Sequence, residues 1–131
     1  EIGSGLVGSE MCIRDRLLTE RMHRYEGGKI AVAPVSLSLM DEAGATEEDM
    51  EDIAAFLGQI EGVETSVTIR ELAEGGCKLS VRTSGGLNAT KVCALLGGGG
   101  HAAAAGCTVS GTLVEAEAAI LDAIRQVEAR A

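Results

Sequence analysis

Four consecutive glycines, Gly97-Gly98-Gly99-Gly100, run straight into His101 and a small-residue segment, Ala102-Ala103-Ala104-Ala105-Gly106. Glycine loses more chain entropy on folding than any other residue and packs no side chain, so no core needs four in a row. The run therefore marks backbone that must approach something closely. Successive unhindered N–H groups can line an anion-binding nest. His101, one of two histidines in the chain, adds a hydrogen-bond donor and a titratable cation at the same point. A flexible linker does not lead directly into a buried-type segment such as Ala105-Gly106-Cys107-Thr108-Val109. A Walker-type phosphate loop is excluded, because no Gly-Lys-Ser/Thr follows.

The chain around this run alternates helix and strand signals. Leu17–Glu26 has helix composition, with Leu18, Arg21 and Met22 on one face, His23 solvated, and Gly27-Gly28 as the stop. Lys29–Val35 is a first strand, and Pro34, lacking a donor N–H, puts that part of it at an edge or an end. Ser36 caps a short helix that Gly44 stops after Ala43. Thr46-Glu47-Glu48-Asp49 forms a capping box with Asp in the usual Glu position. It opens a helix whose Met50, Ile53, Ala54, Leu57 and Ile60 face the core. The acids of its first turns suit the positive helix end. Spread around a helix, they do not converge on a metal ion.

Val63, Thr65, Val67 and Ile69 alternate as in a half-buried strand, Val63–Glu71. Gly75-Gly76 turns it into a hairpin. On the returning strand, Cys77–Thr83, the apolar set Cys77, Leu79, Val81 and Thr83 faces one side. Lys78, Ser80, Arg82 and Ser84 face the other, a polar row with two cations. Ser84-Gly85-Gly86 is a loop, and Asn88 caps a helix over Ala89–Leu96. A strand near Ala105–Val109 follows the glycine run. Thr112-x-x-Glu115 then opens a last helix with a stripe of Leu113, Ala116, Ile120, Leu121, Ile124 and Val127. The order predicts one α+β domain with a mixed central sheet and flanking helices.

Net charge is −9. Coating long nucleic acid requires a basic surface, so that function class is excluded, while a local site for a mononucleotide or an oligomer end remains open. Aromatic residues make up 2% of the chain, too few for base-stacking platforms. Cys77, Cys93 and Cys107 show no Cys-x-x-Cys spacing, which predicts reduced, buried thiols in a cytoplasmic protein, with no zinc. No signal peptide or membrane-length apolar run is present, so no membrane partner is expected.

Residues 1–16 read differently. Leu6–Arg16 back-translates as a transposon-type sequencing adapter ending in its mosaic end, and Glu1-Ile2 fits the outer primer. This stretch is expected to be an adapter-derived tail without native packing, the natural gene continuing upstream of Leu17. The segment holds three acids and two bases, leaving −8 for the remainder.

Gly97–Gly106 resembles the GGGGHxxAAG signature of the DHHA1 domain, the C-terminal domain of DHH-family phosphoesterases. The flanks Lys78–Ser84 and Gly106-Cys107-Thr108 extend the resemblance, which covers about Leu17 to Ile124. Within that superfamily the chain is most similar to the NrnA-like oligoribonucleases and 3′-phosphoadenosine-5′-phosphate phosphatases. Phosphate recognition calls for backbone N–H groups, a guanidinium fork and sometimes an imidazole. The chain offers all three. The resemblance assigns substrate and phosphate binding to Arg82, Ser84, Gly97, Gly98, Gly99, Gly100 and His101. It implies short RNA oligonucleotides or 3′-phosphoadenosine 5′-phosphate as ligands. It also implies a DHH domain in cis whose Asp and His residues hold two metal ions, commonly manganese. This chain contains no Asp-His-His, so no catalytic residue, metal ligand or cofactor is expected within it. Sharing the signature are alanyl-tRNA-synthetase-like RNA-contacting domains, RecJ-like nucleases and cyclic-dinucleotide phosphodiesterases. A non-catalytic oligomerisation module, with the glycine run as a structural turn, is the reading from a different class, and a homodimer is a further partner expectation.

Overall fold

The computed structural model describes residues 22–44 and 46–130. The suspected adapter tail lies outside them, as does Leu17–Arg21.

Six strands form one mixed sheet in the order β1-β2-β3-β4-β6-β5. They are β1 (His23–Tyr25), β2 (Ile30–Val35), β3 (Thr65–Glu71), β4 (Cys77–Thr83), β5 (Gly99–His101) and β6 (Ala104–Val109). β2 and β3 run parallel, and every other pair is antiparallel. The helices are α1 (Leu37–Ala43), α2 (Glu47–Leu57), α3 (Ala89–Ala94) and α4 (Leu113–Arg130). The α+β architecture with a mixed sheet is as the sequence predicts. The two short strands β1 and β5 are additions.

Because strand side chains alternate between faces, the sheet builds two cores. On one face Ile30, Val32, Val67, Ile69, Leu79 and Val81 pack with Val92 and Cys93 of α3 and Ile120 and Ile124 of α4. On the other, Ala33 and Val35 pack with Leu39 of α1 and with Met50, Ile53 and Leu57 of α2. β3 therefore lies between helices on both sides. Its residues Thr65 to Ile69 are all buried, where alternation had predicted a half-buried strand. Ser66 and Thr68, which signalled a wet face, instead lie beneath α2.

The caps position the helices as expected. Ser36 Oγ accepts from the Leu39 N–H at 3.1 Å, and Gly44 closes α1 at φ +66°. The Thr46–Asp49 capping box is reciprocal, at 2.9 and 3.3 Å. Asn88 accepts from the Thr90 and Lys91 N–H groups, and Thr112 and Glu115 cap each other at the start of α4. Each such cap contributes about 1 kcal/mol. β1 covers β2 only over Ile30–Val32. Pro34 lies past that covered stretch, where β3 is its partner strand among the described residues.

The N-terminal expectation needs correction. His23–Tyr25 is strand, and Glu26–Gly28 is a 3₁₀ turn, where a helix to Glu26 was expected. Helix composition was overruled by a tertiary contact. Glu117 of α4, 9% exposed, accepts hydrogen bonds from the Tyr25 hydroxyl and, at 2.8 Å, from His23 Nδ1. His23 is thus exposed yet engaged, rather than simply solvated. A three-residue strand has too short a ladder to hold itself, whereas hydrogen bonds to a charged group contribute about 1.5–3 kcal/mol each.

The hydrogen bond to Glu117, followed by burial and the Glu117 charge, pushes the Tyr25 hydroxyl up to about 12 from its ordinary 10.0. A raised folded-state pKa means that this contribution to stability is complete below about pH 10 and is lost as pH rises through about 12. Tyr25 is the sole tyrosine and there is no tryptophan, so ultraviolet absorbance isolates it. The phenol is expected to ionise near 12 in the parent and at clearly lower pH, toward its ordinary value, in Glu117→Gln. That variant should also unfold at lower denaturant, by about 1–3 kcal/mol.

Candidate functional site

The pleat sets the chemistry of the outer sheet. Lys78, Ser80 and Arg82 of β4 share the face that carries α2. α1 and α2 pack over β2 and β3, so the same face beyond β4 is left more open. Cross-strand register then fixes two rows. Arg82 stands opposite Ala104, which stands opposite His101. Ser80 stands opposite Gly106, which stands opposite Gly99. Adjacent strands lie about 4.8 Å apart, so the Arg82 and His101 backbones are roughly 10 Å apart with only a methyl group between them. Two long polar side chains can close over a floor of Ala104, Gly106 and Gly99.

A cleft of about 280 Å³ lies on this floor, bordered by Arg82, Lys78, Ser80, Gly99, Gly100 and, from α2, Glu51. Glu51 Oε1 sits 3.1 Å from Nη2 of Arg82. The two side chains are 59% and 35% exposed, and ion pairs this wet contribute about 0–1 kcal/mol, so a ligand can displace the contact. A larger cleft of about 450 Å³ lies at α3 and the end of α4, walled by Leu87, Ala94, Leu95 and Val127 with Lys91 and Arg130 at its margin. None of the residues singled out by the glycine motif borders it.

The glycine run is not a loop-shaped nest. The Gly97 and Gly98 N–H groups close the end of α3, donating to Ala94 O at 3.1 Å and Cys93 O at 2.8 Å. Gly99–His101 is strand β5, where an antiparallel ladder directs alternate N–H groups toward its partner. Gly98 and Gly100 answer to close backbone packing, and Gly97 to a backbone φ of +86°. A Cβ on Gly98 would collide with the Gly106 carbonyl and Cys107. A Cβ on Gly100 would meet Ala105 Cα at 2.6 Å, at φ +152°. The hairpin tip is stitched down by Ala89 N–H to Ala102 O at 2.7 Å and Thr83 N–H to Ala103 O at 3.0 Å. His101 therefore stands on a strand fastened at both ends.

Beneath the hairpin, Cys93 and Cys107 are buried free thiols, as is Cys77. Their mutual hydrogen bond, then burial, pushes Cys93 above the ordinary thiol range. Burial and the Glu71 charge raise Cys77.

Of the residues assigned from sequence, Arg82, Gly99 and Gly100 border the cleft, and His101 stands in the Arg82 row. Gly97 and Gly98 belong to the helix-to-hairpin junction. Ser84 lies past the end of β4, its N–H bonded to Glu64 O at 2.8 Å, and Ser80 occupies the cleft instead. Lys78 and Ser80 were legible as a polar row. Glu51 was missed, because a helical pattern shows which side chains face outward but not which strand they overhang.

Residues 27–130 match the family model of the DHHA1 domain. The chain belongs to the DHHA1 domain family. It is 41% identical over 98 residues to the bifunctional oligoribonuclease and PAP phosphatase NrnA of Thermus thermophilus, covering 74% of this chain and 30% of that protein. An exopolyphosphatase-related protein from Bacteroides fragilis superposes with a TM-score of 0.80 at 24% identity, over 90% of this chain and 34% of that one. A pGpG-specific phosphodiesterase, PggH, from Vibrio cholerae gives 0.59 at 17% identity, over 92% and 39%. The chain spans about a third of the length of these relatives.

The packing account separates the glycines. Gly98→Ala and Gly100→Ala should each destabilise by about 1–3 kcal/mol in denaturant unfolding, the usual cost of overpacking. Gly99→Ala, which meets nothing within 4 Å, should stay within about 0.5 kcal/mol of the parent. Equal losses at all three positions would contradict this account.

Proposed function

We propose that the chain is the substrate-holding domain of a phosphoesterase acting on short oligoribonucleotides and 3′-phosphoadenosine 5′-phosphate. A ligand phosphate sits over Ala104, between the guanidinium of Arg82 and the imidazole of His101, with Lys78 contributing charge from the same face. The observation carrying this reading is the single cross-strand row of Arg82, Ala104 and His101 on the open face of the sheet. Support for the substrate class comes from the 41% identical relative, whose name gives both activities. Buried free thiols suit a reducing cytoplasm.

Among the described residues no three His, Cys, Asp or Glu side chains gather to hold a metal ion. The manganese expected for the family therefore finds no fit in them, and no bond-breaking step is assigned to this chain. Its part is positioning. Binding energy gathered at a phosphate fixes the scissile bond for chemistry supplied by a DHH domain in cis.

Each charge-assisted hydrogen bond to phosphate contributes about 1.5–3 kcal/mol, so losing one weakens binding roughly ten- to a hundredfold. Arg82→Ala and His101→Ala should each show that loss in ligand-detected NMR with a short oligoribonucleotide, with the fold intact. Arg82→Lys should recover only part, since an ammonium cannot form the bidentate fork. If both alanine variants bind like the parent, the site is wrong. The chain alone, given manganese, is expected to bind without turnover.

A further inference from the structure

Glu51 is out of keeping with a site that holds only phosphate. It borders the cleft beside Lys78, Ser80 and Arg82, and its carboxylate already occupies Nη2 of Arg82 at 3.1 Å. Its backbone cannot withdraw. Met50, Ile53, Ala54 and Leu57 bury α2 against the sheet, and the Thr46–Asp49 box fixes its start. When a phosphate takes Arg82, the displaced carboxylate stays within side-chain reach of a second anion. Like charges so close are unfavourable unless something donates to the carboxylate. The ligand itself can. In ribose the 2′-hydroxyl is vicinal to the 3′-oxygen, so a 3′-linked ribonucleotide phosphate brings a donor one carbon away. A deoxyribonucleotide brings none.

We propose that Glu51 is a specificity-determining residue that makes this cleft select ribonucleotides over deoxyribonucleotides. In the free protein it is the counterion of Arg82. In the complex it hands Arg82 to the phosphate and accepts a hydrogen bond from the sugar hydroxyl, the group by which a protein distinguishes RNA from DNA. This rests on the phosphate site proposed above. It adds the sugar to what that site recognises, and it assigns the discrimination to one side chain. The competing destination for the displaced carboxylate is Lys78, across the same cleft, which would leave the sugar unread.

The test is binding of the full chain to the 5′-phosphorylated diadenylate in its ribo and deoxy forms, measured by NMR titration for the parent, Glu51→Ala, Glu51→Gln and Arg82→Ala. Glu51 is exposed on a helix, so neither change removes core packing. The parent should prefer the ribo form by about tenfold, the weight of one hydrogen bond to a charged group. Glu51→Ala should erase the preference chiefly by tightening the deoxy form, and Glu51→Gln should leave an intermediate ratio. A parent without preference, or a ratio unchanged in Glu51→Ala, overturns the proposal. If Glu51→Ala tightens both ligands equally, Glu51 is a counterion only, and the inference falls while the phosphate site stands. If Arg82→Ala binds like the parent, or the parent binds neither form, the phosphate site falls and this inference with it.

Discussion

Burial of β3 on both faces is the constraint from which the rest of the molecule follows. A strand with no wet side needs a helical layer on each side of the sheet, and the chain supplies one before it and one after it. α1 and α2 are inserted between the parallel strands β2 and β3. α3 and α4 follow the β3–β4 hairpin and cover the opposite face. The first layer reaches only as far as β4, so β6 and β5 remain uncovered there. The polar half of β4 thereby becomes the wall of a cleft rather than part of a core. In this domain the proposed binding surface is what remains of the sheet after the helices have been placed.

Much of this was legible from local chemistry. Ser36, Thr46, Asn88 and Thr112 announced four helix starts, because cap hydrogen bonds reach at most three residues along the chain. The alternation in Cys77–Thr83 assigned Lys78 and Arg82 to one face correctly, since a strand's two faces are set by its own pleat. Failures occurred where a distant residue decides. His23–Tyr25 is strand because of Glu117, more than ninety positions away. The burial of Ser66 and Thr68 is due to α2, which passes over them. Residues that accept either environment carry no sign of which neighbour will arrive.

The glycine run shows a different kind of limit. A run of glycines says that backbones come close, but not what they come close to. A ligand anion and a neighbouring strand make the same demand for a missing Cβ. Here, at Gly98 and Gly100, the demand comes from Gly106, Cys107 and Ala105. Register matching is what the signature accomplishes: it seats the hairpin so that His101 arrives in the row of Arg82. The motif contributes to the candidate site by placing a side chain, with the Gly97 and Gly98 amides committed to the end of α3.

The junction where Gly97 and Gly98 close α3 has one more consequence. These amides are bonded to the carbonyl end of a helix, which carries partial negative charge. Backbone dipoles at that point do not draw in an anion. At the proposed phosphate site the attraction comes instead from the side chains of Arg82, Lys78 and His101, against a whole-molecule charge of −9. Fields from such groups fade within about 10 Å in 0.1 M salt. The domain has little means of steering a polyanion from afar. On that proposal capture depends on contact, and dissolved electrolyte competes directly for the same three side chains.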